Sequence, residues 1–139
     1  MKHIKFLLLA LPLIAISCSK SDGGTPTPTP TPTSTESAIA FSITQDPGAG
    51  VLGVVGTSQA LNIKVTSTLP SAGVNIDVSV KKDLDNSTVF SNSSSSVAAD
   101  VTTTITGLTP GVQCTATVVV TSKSTSSNNK TVSFKLAAK

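Results

Sequence analysis

The chain has no tryptophan, no tyrosine and no arginine, and its single histidine is His3. Each absence removes a class of function. Without arginine there is no guanidinium fork for a phosphate, and without a basic footprint there is no nucleic-acid partner. Its formal charge of +3 is partly an effect of Lys2 and Lys5. Beyond them eight lysines face seven acids, so the rest of the chain is close to neutral. With His3 set aside, no imidazole remains for base catalysis or metal binding. Charged residues make up only 12% of the chain. Any enzyme built here would have to work with Asp, Glu, Lys and Ser alone. No catalytic residue, cofactor or metal is expected.

What is present is organised in three parts. Lys2 and Lys5 open a positive leader, and Phe6 to Ile16 is an apolar stretch of about eleven residues. A membrane-spanning helix needs roughly 18 or more, so this run is too short to span and has the form of a secretory signal over residues 1–17. At its end stands Ala15-Ile16-Ser17-Cys18. The stretch resembles the bacterial lipobox: an aliphatic or small residue, an aliphatic, a small residue, then cysteine. The resemblance implies cleavage before Cys18, lipid attachment to its thiol, and anchoring to the membrane. Two or three acyl chains, at about 0.8 kcal/mol per buried methylene, hold a protein where one chain does not. An ordinary signal peptide with an incidental cysteine is the alternative. Ser19 is not the aspartate that retains such proteins at the inner membrane, so the resemblance implies the outer membrane. The start Ser19-Lys20-Ser21-Asp22-Gly23-Gly24 is similar to that of lipoproteins of the Bacteroidetes group. In those, a lysine followed by acids marks export to the cell surface, although here Asp22 is the only acid and the periplasmic face is the alternative.

Residues 18–35 continue into "TPTPTPTPTST", Thr25 to Thr35. Proline at alternate positions removes amide donors and fixes φ, so the stretch reads as a polyproline II stalk. At about 3.1 Å per residue it reaches roughly 30 Å.

From residue 36 to 139 no helical periodicity appears, and strict alternation replaces it. "LNIKV", "VNIDVSV", "CTATVVV" and "VSFKL" each place one apolar face against one polar face. Weaker strands are "AIAFSI" around Phe41, "STVF" ending at Phe90 and "VTTTI" ending at Ile105. Turn chemistry separates them, as at Pro70-Ser71-Ala72-Gly73 and Thr109-Pro110-Gly111. Seven short strands, each with one buried face, predict an all-β fold: a single antiparallel β-sandwich. "ITGLTPGVQCTATVVVTS" resembles the fibronectin type III and immunoglobulin-like domains through Ile105, Gly107, Leu108, Pro110 and Gly111. In that family Leu108 would plug the base of the core and Pro110-Gly111 would turn the chain. Cys114 stands where the family has a tyrosine, and the family's strand-B tryptophan is missing.

Four stretches invite sharper readings. Gly48 to Gly53 fits G-x-G-x-x-G, but "VVGTSQALNIKV" after it is β-like, so the stretch is expected to be a flexible loop. Asp83, Asp85 and Asn86 offer oxygen donors. Positions six and twelve of a calcium loop starting at Asp83 would hold Thr88 and Ser94, which fits a hairpin turn better. "SNSSSSVAAD" and "TSKSTSSNNK" read as polar loops, the second a candidate for ligand contact. Cys114, in inward phase with no partner if Cys18 is acylated, reads as a buried apolar residue. The function expected is a non-catalytic, surface-facing outer-membrane lipoprotein, an accessory or structural interaction module of a membrane protein complex. Its expected partners are the membrane, through lipid on Cys18, and an outer-membrane protein. The competing expectation is a glycan-binding or adhesion lipoprotein serving polysaccharide uptake, disfavoured because sugar faces stack on Trp or Tyr.

Overall fold

The computed structural model describes residues 35–139. The signal peptide 1–17, Cys18 and the stalk as far as residue 34 lie outside the described residues. Eight strands run in chain order: β1 Phe41–Ile43, β2 Val51–Val54, β3 Gln59–Val65, β4 Val74–Lys82, β5 Thr88–Ser96, β6 Asp100–Ile105, β7 Gln113–Ser122 and β8 Asn129–Ala138. They form a three-stranded sheet in the order β1-β3-β6 and a five-stranded sheet in the order β2-β8-β7-β4-β5. The described residues are all-β and the two sheets make a sandwich.

Alternation explains why these segments are strands. In β3 Leu61, Ile63 and Val65 are buried while Ala60, Asn62 and Lys64 are exposed. β4 buries Val74, Ile76, Val78 and Val80, and β7 buries Cys114, Ala116, Val118 and Val120. Each fully buried Val, Leu or Ile contributes about 1.5–3 kcal/mol relative to exposure. β-branched residues also suit the pleated surface. The cross-strand register keeps phase: Val78 faces Val118, and Val118 faces Val132. Leu108, from the loop before β7, is buried in this core.

Two sequence expectations are corrected. Gly48 to Gly53 does not stay a loop, because Val51–Val54 forms β2 and pairs in parallel with β8, Val51 with Lys135 and Val54 with Ala138. Burial of Val54 draws it in. The sandwich is therefore antiparallel in every other strand pairing but parallel at β2, with one more parallel bridge between Pro110 and Ala138. Nor is "SNSSSS" a loop. It belongs to β5, nine residues long, whose backbone pairs with β4 from Val74↔Ser96 to Lys81↔Thr88, with a bulge at Val80/Lys81. Alternation could not reveal this strand, since Asn92 and Ser94 lie in its inward phase. The opposing sheet has three strands against five, so β5 overhangs the core and has little apolar surface to cover.

Candidate functional site

The outward face of the five-stranded sheet is set by the same alternation that builds the core. β4 sends Asn75, Asp77, Ser79 and Lys81 outward, and in register beside them stand Ser95, Ser93, Ser91 and Thr88 of β5. On the other side β7 supplies Thr121, Val119, Thr117 and Thr115. β8 adds Asn129, Thr131, Ser133 and Lys135 in the same rows. Within these rows, side chains on neighbouring strands are joined by hydrogen bonds. Ser93 Oγ donates to Asp77 Oδ1 at 2.5 Å and Ser95 Oγ to Asn75 Oδ1 at 2.7 Å. Thr117 Oγ1 and Ser133 Oγ are hydrogen-bonded at 3.0 Å. The face is a hydroxyl and amide platform with its side chains already oriented.

At one end of the platform sits its charged corner. Lys135 Nζ donates to Asp83 Oδ2 at 2.9 Å and to Thr115 Oγ1 at 2.8 Å, and Thr115 Oγ1 donates to Asp83 Oδ1 at 2.6 Å. The hydrogen bond from Lys135, and next that from Thr115, hold the Asp83 carboxyl below its ordinary range. Asp83 is thus an anion at neutral pH and a poor proton donor. A recess of about 340 Å³ opens here, lined by Ser79, Lys81, Lys82, Asp83, Thr115 and Thr117, together with Asn86. Asp85 does not turn toward it. Its Oδ1 accepts from Ser87 N–H at 2.9 Å, and hydrogen bonds from Ser87 lower its pKa. Asn86 takes the left-handed φ of 57° that this tight hairpin requires. Asp83, Asp85 and Asn86 are therefore hairpin residues with carboxylates engaged separately. Among the described residues no group of three His, Cys, Asp or Glu side chains could hold a metal ion.

The β7–β8 loop, a candidate for ligand contact by sequence, has another task. Asn128 Oδ1 accepts from Ile39 N–H at 2.9 Å. Its Nδ2 donates to Ser37 O at 3.0 Å and to Glu36 Oε2 at 3.2 Å. Ser122, the one buried polar residue described, accepts from Ser124 N–H and Thr125 N–H. Hydrogen bonding by Ser122, followed by that from Asn128, draws the Glu36 carboxyl below its ordinary range. The loop is a clasp on the segment that leads into β1. A recess of about 460 Å³ lies beside it, between Glu36, Leu69, Ser71 and Thr125. No local signal in "TSKSTSSNNK" announces the clasp, because its partners lie about ninety residues earlier.

Cys114 is buried and free. Burial, and secondarily the charge of Asp83, pushes its thiol pKa up, the opposite of what a nucleophile needs. Cys18, the sequence-derived lipid attachment site, lies outside the described residues.

No family model matches the chain, and no curated protein matches it. Among solved structures it is similar to the short form of the sensor domain of the anti-sigma factor RsgI4 in Pseudobacteroides cellulosolvens. The identity is 20% and the TM-score 0.45, over 74% of this chain and 98% of that one.

Proposed function

We propose that this chain is a non-catalytic lipoprotein of the outer membrane, anchored through Cys18 and carried on its Thr-Pro stalk. Its sandwich faces the cell surface and serves as an accessory interaction module of a membrane protein complex. The observation that carries this reading is the preorganised platform on the five-stranded sheet. Ser93–Asp77, Ser95–Asn75, Thr117–Ser133 and Thr115–Asp83–Lys135 are already bonded, so a partner meets fixed donors and acceptors and less side-chain entropy is lost on docking. A fibronectin type III or immunoglobulin-like identity for the sandwich is part of the proposal. It is supported by the strand order and by the burial of Leu108 in the core, two residues before Pro110-Gly111.

A glycan competes for the same face, favoured by the recess of hydroxyl, amide, ammonium and carboxylate groups around Asp83. Among the described residues no aromatic ring lies on that platform: Phe134 is buried, and Phe41 and Phe90 pack against the core. Stacking, the usual contribution of Trp or Tyr to sugar binding, is absent there.

The test is made on whole cells. Wild-type protein should carry acyl mass at Cys18 and be lost on protease shaving, while Cys18→Ser protein should leave the membrane fraction. A photo-crosslinking residue at Thr117 should then capture one outer-membrane protein reproducibly. An unmodified Cys18 thiol would defeat the anchoring proposal. Binding of one purified polysaccharide, with no protein captured, would transfer the platform to glycan recognition.

A further inference from the structure

A sheet edge leaves a row of unpaired N–H and C=O groups, and proteins guard such edges with short strands, charges, proline or a bulge. Three of the four described edges follow that rule. β1 has three residues and β2 four, and β2 follows the turn at Pro47. β6 opens on Asp100, which pairs with Lys64 across to β3. β5 differs. It is nine residues long, and from Thr88 to Ser96 it has neither a charge nor a proline. Its one irregularity, the bulge at Val80/Lys81, lies near its start. From Phe90 to Ser96 the pairing to β4 runs without interruption. Ser93 and Ser95 are bonded back to Asp77 and Asn75, so this stretch is tied to its neighbour by side chains as well as by its ladder. Val97, immediately beyond it, is 77% exposed.

We propose that the β5 edge is a docking site for a second copy of this chain, pairing antiparallel across a two-fold axis near Ser93 and joining two five-stranded sheets into one. The occupant is argued from the strand itself. An antiparallel two-fold match needs a strand that tolerates its own reversed sequence. Reversed about Ser93, Ser91 stands opposite Ser95, Asn92 opposite Ser94 and Phe90 opposite Ser96. No like charges meet anywhere along this register, and from Ser91 to Ser95 small hydroxyls face small hydroxyls or an amide, pairs that support a sheet. The main-chain bonds gained are modest individually, about 0.5–1.5 kcal/mol each. A weak self-association results in dilute solution, and tethering copies to one surface would strengthen it through effective concentration. The proposal does not rest on how the chain is anchored.

The test is sedimentation equilibrium of the full chain in density-matched detergent, followed by charge exchange on the edge. Asn92 and Ser94 oppose each other across the axis, in the inward phase of β5, where Asn92 is exposed and Ser94 half-buried. The double variant Asn92→Lys/Ser94→Lys should weaken the dimer on the order of tenfold, and Asn92→Asp/Ser94→Asp should do the same. An equimolar mixture of the two should assemble at least as well as wild type, because opposite charges now face each other. Recovery in the mixture also shows that each variant is folded. A wild-type chain that stays monomeric up to millimolar concentration would overturn the proposal. So would a dimer indifferent to all three arrangements, or protection of β5 amides by an unrelated extended peptide but not by the chain itself.

Discussion

Replacing Asn128 with alanine should loosen the clasp that holds the start of the sandwich. Asn128 Oδ1 is the acceptor for Ile39 N–H at 2.9 Å, and Ile39 is itself buried. Removing the acceptor leaves that N–H unpaired at a cost of about 1–3 kcal/mol. Of the two bonds from Nδ2, the one to Ser37 O is exposed and the one to Glu36 ends on a carboxylate open to solvent, so both add less than the Ile39 bond. A loss of about 1–3 kcal/mol should lower the melting temperature by about 5–20 °C in a domain of roughly 100 residues. Asn128→Asp separates the acceptor from the donor. It keeps an oxygen for Ile39 but sets a second carboxylate against Glu36. At neutral pH the two charges repel, and the loss should shrink as pH falls and one of them takes up a proton. Thermal melts at pH 7 and pH 4, with limited proteolysis between Glu36 and Ala40, read both effects. If Asn128→Ala melts within about 2 °C of wild type, the clasp holds nothing and this account of the β7–β8 loop is wrong.

Other outcomes follow from single sites. Gly73 adopts φ 82°, and a methyl group there would collide with Ser96 O and come within 3.0 Å of Val97 Cγ1. Gly73→Ala should therefore cost about 1–3 kcal/mol and fray the end of β5, measured by urea melts and amide exchange. Folded-state pKa values of Glu36, Asp83 and Asp85 all lie below the ordinary ones. Their contribution to stability is thus fully present above the ordinary carboxylate range and is lost as pH falls through the lowered folded values. Urea melts of Asp83→Asn should show lower stability than wild type at pH 7 and convergence with it near pH 2. Cys114 should resist a thiol reagent in the native protein and react only on unfolding, a contrast that ordinary absorbance assays detect.

The core was legible from sequence wherever one face meets the other sheet. Leu61-Ile63-Val65 and Val74-Ile76-Val78-Val80 carry the two-residue period, and all seven side chains are buried. Legibility ended where burial ended. β5 was hidden because only Val89 and Phe90 in it touch the core, so its period is written in Ser and Asn on both faces. β2 was hidden for a different reason: four residues, one of them Gly53, carry too little pattern. What makes them a strand is β8, some eighty residues later, which no local window contains. The charged corner is half visible, since the alternation of "VSFKL" sets Ser133 and Lys135 on its polar face. Its completion by Asp83 and Thr115 depends on the β4–β7–β8 register, a long-range fact. Asn128 is the extreme case, its role defined wholly by Glu36, Ser37 and Ile39.

The unequal widths of the two sheets connect stability to the β5 edge. A strand over the core is held by its ladder and by burial together, whereas the stretch of β5 from Ser91 to Ser96 has the ladder and two side-chain bonds, Ser93–Asp77 and Ser95–Asn75. Opening it exposes little apolar surface, so it should open at far lower free energy than β4 or β7. In dilute protein, amides of Asn92 to Ser96 are accordingly expected to exchange much faster than those of Asn75, Ile76 and Asp77 on β4. A second copy on the free edge would pair the outward N–H groups and close both ladders at once. Exchange along β5 should then slow as protein concentration rises, while exchange in β4 and β7 stays constant. Slowing that is uniform across the sheet would indicate general stabilisation and not edge pairing. Exchange in β5 as slow as in β4 at high dilution would mean that the overhang is held by something other than its ladder.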